Sequence, residues 1–281
     1  MMDIIATNTS HSMGATVTNF DAALLISDDI RATIIRALHE FQFLVFPNQT
    51  LTQAQQVAFT QQFGPLEQHI NSEFQGEAIA QVHVLSNLDP NGIPTKPREP
   101  TGTECWHTDK SYTPTPSFAT LLYGIEVPAV GGETLFANMY AAYDALSIAD
   151  QQRCDALTVV HSWEQSRLKS GSRPPSEEEN RAAPPISHPM VRTHPGTGRK
   201  ALYIGTHASH IEGMPIAEGH TLLDDLLGHA TQDRFVIAHQ WHKKDLLIWD
   251  NPSLLHRGAT YNETREKRVL HRTVVRGGPT F

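Results

Sequence analysis

The apolar positions of the first 65 residues repeat with the period of a helix, interrupted by one short continuous run. Ile30, Ile34, Leu38 and Phe41 fall on one helical face. Ser27 stands where an N-cap belongs, and Asp28 and Asp29 favour the positive end of the first turn. Phe43–Phe46 is apolar at every position and stops at Pro47, which predicts a buried strand. Thr52 then opens a second helix that carries Val57 and Phe59 and closes at Gly64.

After residue 65 the pattern changes. Short runs bounded by Gly, Pro and Asn predict strands at Ala80–Leu85, Phe118–Tyr123, Ala201–Ile204, Phe235–Trp241, Leu246–Trp249 and Arg268–Val275. Many short strands at such spacing make an all-β core, a sandwich or barrel, with helical cover (α+β) the expected fold class. Helical spacing returns at Tyr140–Leu146, Ala149–Leu157 and Ile216–His229, where Leu222, Leu223, Leu226 and Leu227 form a stripe that reads as core. Residues 166–185 are polar, with proline pairs at 174–175 and 184–185 and the acidic run Glu177–Glu179. They are expected to supply little core and to form a lid or a surface loop on a single domain spanning 1–281.

Composition narrows the class. No stretch approaches the ~18 apolar residues of a membrane helix, and the N-terminus lacks the basic segment and long apolar run of a signal peptide. Cys105 and Cys154 cannot build a disulfide framework. A cytoplasmic protein without a membrane partner is expected. A net charge of -8 with no basic cluster argues against nucleic acid as a partner. A homo-oligomer stays open. The unusual feature is 16 histidines in 281 residues, which points toward metal or proton chemistry without naming a site.

Spacing supplies candidates. In His107-Thr108-Asp109 an imidazole and a carboxylate at i and i+2 would share one face of a strand and could give a metal two adjacent ligands. His210-Ile211-Glu212 has the same spacing, so the triplet alone is weak. His256 follows Trp249-Asp250-Asn251 and can add a third ligand. Two His and one carboxylate with open positions form the facial triad of non-haem iron(II) oxygenases. Arg268 and Arg272 then share one face of a strand, ~13 Å apart at ~3.3 Å per residue, and inward-facing guanidiniums need anions. The chain's own acids could also be those anions. Trp106 and Trp249 read as core, Cys105 as a buried thiol and Asp250-Asn251 as a turn.

These tracts, with Gly131-Gly132-Glu133-Thr134-Leu135-Phe136 between them, resemble in order the family of taurine dioxygenase and 2,4-dichlorophenoxyacetate dioxygenase. The resemblance runs from Gly14 to Arg272. It implies a double-stranded β-helix (jelly roll, cupin-like) and an enzyme that uses Fe(II), with 2-oxoglutarate and O2 as co-substrates. It implies His107, Asp109 and His256 as metal ligands and catalytic residues. Thr134 and Arg268 would hold the distal carboxylate of 2-oxoglutarate, and Arg272 the anionic head of a small organic substrate. His69 is similar to a substrate-contacting histidine of the taurine enzymes. Those enzymes have asparagine where Thr103 stands, tyrosine where Ser72 stands and a small apolar residue where Lys110 stands.

The tracts Leu202–Met214 and Ala238–Trp241 resemble the aryloxyalkanoate branch instead. Ser111 matches that branch better, and a histidine like His207 lies near the substrate there; Lys110 is a further candidate for the substrate wall or a solvated charge. Cleavage of an aryloxyalkanoate at its ether bond is therefore the expected reaction, with a taurine, alkylsulfonate or alkyl sulfate dioxygenase as the alternative. Two rivals stand further off. A zinc hydrolase could use the same ligands but has no use for Arg268 and Thr134. A non-catalytic jelly-roll binding protein would make no succinate.

Overall fold

The computed structural model describes residues 2–6, 13–67, 79–96 and 102–280. The described residues begin with β1 (Asp3–Ala6), β2 (Ala15–Thr18), α1 (Asp28–Phe41), β3 (Phe43–Phe46), α2 (Gln53–Gln61), β4 (His83–Ser86) and β5 (Ser117–Glu126). Next come β6 (Thr134–Asn138), α3 (Met139–Asp144), α4 (Ile148–Asp155), β7 (Thr158–His161), α5 (Trp163–Ser170), α6 (Glu177–Ala182), β8 (Ile186–Pro189) and β9 (Val191–Thr193). The chain closes with β10 (Lys200–Leu202), β11 (Ala208–Ile211), α7 (Ile216–Ala230), β12 (Val236–His239), β13 (Leu246–Asp250), β14 (Leu254–Gly258) and β15 (Val269–Arg276). Strands outnumber helices, and no helix among the described residues is long and apolar enough to cross a membrane.

The first two helices begin where the sequence placed them. Ser27 accepts a hydrogen bond from Ile30 N, and Thr52 forms a reciprocal capping box with Gln55. The main sheet has seven strands in the order β1-β2-β3-β13-β5-β15-β4, antiparallel except where β2 and β3 run parallel. A second sheet has the order β12-β6-β14.

The strand β13 explains the continuous apolar run Leu246–Trp249, because the main sheet is covered on both faces. Leu246 and Ile248 point to a core shared with Ile34 and Leu38 of α1 and Phe59 of α2. Leu247 and Trp249 point to a core shared with Phe136, Ile237 and Leu254 of the second sheet. A strand buried on both sides needs apolar residues at every position rather than alternation. The stripe on α7 is core as expected: Leu223 and Leu226 pack with Met190, Leu202 and Ile211.

Residues 166–185 carry more structure than their composition promises. They hold the end of α5 and all of α6, which starts with a capping box between Ser176 and Glu179. Arg173 grips Glu179 with two bonds of 2.8 Å. Trp163 of α5 and Ala183 pack with Tyr112, which ties this segment to the loop after Asp109.

Candidate active site

His107 and His256 meet through the backbone. His107 N donates to His256 O at 3.0 Å and His256 N to His107 O at 2.8 Å, an isolated antiparallel bridge. The imidazoles lie side by side, centroids 4.2 Å apart. Asp109 faces both, with carboxylate oxygens 4.0 Å from His107 Nε2 and 3.9 Å from His256 Nε2. One ligand atom from each of the three lies within 4.8 Å of the others. That donor set, two imidazole nitrogens and one carboxylate oxygen, suits a divalent first-row metal.

The local backbone differs from the strand expected at His107-Thr108-Asp109. His107 makes a single bridge and the chain then turns, with Lys110 in the left-handed region at φ 53°. Tertiary hydrogen bonds decide this: Thr108 Oγ1 donates to Asn251 O at 2.8 Å and Asp109 N to Asn251 Oδ1 at 3.3 Å. Imidazole and carboxylate still converge, through the turn rather than through strand parity.

Electrostatics favour the charge states that ligands need. Burial pushes the His107 imidazole down and the His256 imidazole far down, so both are neutral at pH 7. His107 Nδ1 lies 2.7 Å from Cys105 O, so Nδ1 carries the proton and the lone pair of Nε2 faces Asp109. His256 Nδ1 has no such partner among the described residues. Burial alone would raise the Asp109 carboxyl. The Arg272 guanidinium and a 2.5 Å hydrogen bond from Thr120 oppose it, and the group is held well below the usual carboxylate range.

A cavity of about 670 Å³ opens beside the cluster, lined by His107, His256, Thr134, Trp249, Arg268 and Arg272 among others. Thr134 begins β6, and its hydroxyl accepts from Trp241 Nε1 at 3.0 Å, which leaves the hydroxyl proton to donate elsewhere. Arg268 precedes β15; its backbone N–H is fixed by Asn87 Oδ1 at 2.8 Å and its guanidinium lies 5.9 Å from the Tyr261 ring. Burial lowers the pKa of that guanidinium, and no carboxylate among the described residues pairs with it. Arg272 Nη1 lies 3.4 Å from Asp109 Oδ1, while its buried Nε has no partner among the described residues.

The other candidates fall around this centre. Ser111 Oγ lies 3.1 Å from His207 Nδ1, and the His207 ring is 6.1 Å from His107 and 4.9 Å from Tyr112. Gly205, at φ 121°, lets the loop to His207 pass Trp106 O, which a Cβ would approach to 3.0 Å. Lys110 Nζ is 2.5 Å from Glu67 Oε2. Thr103 lines the cavity. His69 and Ser72 lie outside the described residues.

Sequence reasoning gave no role to Thr120 and read Asn251 only as part of a turn, although both hold Asp109. It also passed over Arg257, which lines the cavity with its guanidinium 5.2 Å from the Trp106 ring. Its place directly after His256 was the available signal.

The family model described as "Taurine catabolism dioxygenase TauD, TfdA family" matches residues 6–274. The alpha-ketoglutarate-dependent 2,4-dichlorophenoxyacetate dioxygenase of Cupriavidus pinatubonensis is 37% identical over 282 residues, covering 98% of each chain. The (S)-phenoxypropionate/alpha-ketoglutarate-dioxygenase of Sphingobium herbicidovorans is 36% identical over 249 residues, 85% of this chain and 84% of its own length. The crystal structure of AAD-2 in complex with Mn(II) and N-oxalylglycine superposes with a TM-score of 0.89 at 33% identity, covering 100% of this chain and 99% of that one.

Proposed function

This chain belongs to the TauD/TfdA dioxygenase family, and we propose that it hydroxylates a small aryloxyalkanoate acid, using Fe(II), 2-oxoglutarate and O2, and so cleaves its ether bond. One observation carries the reading. His107 and His256, clustered with Asp109, line a cavity together with Arg268, a desolvated cation that no carboxylate of the described residues neutralises. A second anion is wanted there, and a dicarboxylate that also reaches the metal fits the need. N-oxalylglycine, bound in AAD-2, has the skeleton of 2-oxoglutarate with one CH2 replaced by NH.

Bound iron(II) supplies the O2 chemistry that couples decarboxylation of 2-oxoglutarate to succinate with insertion of one oxygen atom into a substrate C–H bond. The protein's part is holding and orienting. His107, Asp109 and His256 would hold the metal on one side and leave the other open. Arg268 and the Thr134 hydroxyl would grip the distal carboxylate of 2-oxoglutarate by charge-assisted hydrogen bonds. Arg272, which lines the cavity, would anchor the substrate carboxylate, so that the carbon between carboxylate and ether oxygen faces the metal. A hydroxyl placed on that carbon makes a hemiacetal, which collapses to a phenol and an oxo acid. Ser111, His207 and the Lys110–Glu67 pair would shape the substrate wall; His69, a further candidate for contact with substrate, lies outside the described residues. The whole chain would act as one domain, with a double-stranded β-helix as its frame and residues 166–185 as cover at its edge.

The test is a panel of aryloxyalkanoates, alkyl sulfonates and alkyl sulfates, supplied with iron and 2-oxoglutarate and followed by oxygen uptake and succinate release. Succinate release coupled to phenol formation from an aryloxyalkanoate is expected. Coupled turnover confined to sulfonates or sulfates would overturn the substrate assignment. Turnover without oxygen would indicate a hydrolase, and no succinate with any substrate a binding protein.

A further inference from the structure

A carboxylate that serves as a ligand must be held in one rotation, or its free oxygens drift off the metal. Asp109 stands on a turn, so its own backbone does not supply that restraint. Arg272 Nη1 holds one carboxylate oxygen at 3.4 Å; the other is held by a chain of hydrogen bonds that starts at Asn251. The amide oxygen of Asn251 accepts from Trp249 Nε1 at 3.1 Å and from Asp109 N at 3.3 Å, two groups that can only donate. Flipping the amide would set its NH2 against both, so Nδ2 has one permitted direction. It donates to Thr120 Oγ1 at 2.9 Å. With that oxygen already accepting, the single hydroxyl proton of Thr120 goes to Asp109 Oδ2, 2.5 Å away. Thr120 and Asn251 are 0% and 1% exposed, so water does not compete for these bonds.

We infer that Asn251 and Thr120 are positioning residues: they fix the rotation of the Asp109 carboxylate so that it can meet the metal together with His107 and His256. Asn251 also accepts Thr108 Oγ1 at its backbone carbonyl, 2.8 Å, and so grips the residue between the two ligand candidates of the turn. The turn between β13 and β14 thus sets the geometry of a site to which it contributes no ligand. This inference rests on the proposed role of Asp109 as a ligand.

The test uses full-length, metal-free protein titrated with Co(II) and followed by the visible absorption of the bound ion. Thr120→Val keeps volume and removes the donor; Thr120→Ser keeps the donor. The valine variant is expected to bind Co(II) about 10- to 100-fold more weakly and to show an altered spectrum at saturation, with the serine variant close to the parent. Thr120→Ala provides a second donor-free variant, and its affinity should fall likewise. Parent affinity and spectrum in a donor-free variant would overturn the inference. An Asp109→Ala variant separates the two readings. If it binds Co(II) as tightly as the parent, the ligand assignment itself fails; if it loses Co(II) while Thr120→Val does not, only the positioning role fails.

Discussion

Arg272 Nη1 lies 3.4 Å from Asp109 Oδ1, so a cation assigned to the substrate also balances the charge of a candidate metal ligand. Arg268 has no such partner among the described residues and waits on an anion from outside. The two arginines share a cavity, but their charges are committed differently.

Replacing each arginine should separate two binding constants. A hydrogen bond to a charged group contributes about 1.5–3 kcal/mol, roughly 12- to 160-fold in binding. Arg268→Gln is expected to raise the KM for 2-oxoglutarate by that factor and to change the KM for the organic acid much less. Arg272→Gln should do the reverse. Steady-state succinate formation against each substrate measures both, and equal effects would mean that the roles are wrongly divided.

Trp241 fixes the rotation of the Thr134 hydroxyl through its indole N–H. In Trp241→Phe that hydroxyl is free to turn away from the co-substrate. A loss of about 0.5–1.5 kcal/mol, roughly 2- to 12-fold in the KM for 2-oxoglutarate, is expected. Trp241 belongs to the core between the two sheets, so thermal unfolding of the variant should be measured in parallel.

His194 Nε2 lies 3.2 Å from both Asp250 oxygens, and the side chains of the pair are fully buried. Gly196 N and Thr197 N both donate to His194 Nδ1 at 3.0 Å, so Nε2 carries the proton toward Asp250. This assignment makes His194 a poor metal ligand, although His39, His194 and Asp250 sit close enough to form a group. His194→Ala would strand a buried carboxylate next to Asn251. A stability loss of about 3–5 kcal/mol in denaturant unfolding is expected. A loss below 1 kcal/mol would show that Asp250 is satisfied elsewhere.

Burial holds the His207 imidazole down at about 3, against 6.5 in the unfolded chain. Between those values the unfolded chain binds a proton that the folded chain refuses. Stability therefore falls as pH drops through this window, by up to about 1.4 kcal/mol per pH unit. His207→Asn should flatten the slope of unfolding free energy between about pH 6 and pH 4 in metal-free protein. An unchanged slope would show that His207 takes up its proton without unfolding.

Periodicity placed what is local. The first two helices follow from their caps and their 3.6-residue spacing, and Leu246–Trp249 follows from a run with no polar position. The helical parts of 166–185 were not legible, because α5 begins at Trp163, ahead of that segment, and α6 buries none of its residues, so neither shows an apolar face within it. The strand β14 was also missed: only its first two residues, Leu254 and Leu255, are apolar, and its pairing with β6 joins residues far apart in the chain.

The ligand candidates were legible as residue types at a spacing, and family resemblance sharpened them. The i, i+2 spacing of His107 and Asp109 predicts a strand, and the structure puts them on a bridge and a turn. The charge pattern of the cavity was half legible. Sequence put Arg268 and Arg272 on one face of a strand, but only the folded chain shows that one faces Asp109 and the other faces no acid among the described residues.

The sequence by itself determined which chemical groups are available and in what order: two imidazoles, a carboxylate, a threonine and two arginines along a strand-rich chain. Tertiary structure decided how they are held. Hydrogen bonds are short-ranged and directional, so Asn251, Thr120 and Trp241 could be recognised as supports only when packing brought them within about 3 Å of groups far away in the chain.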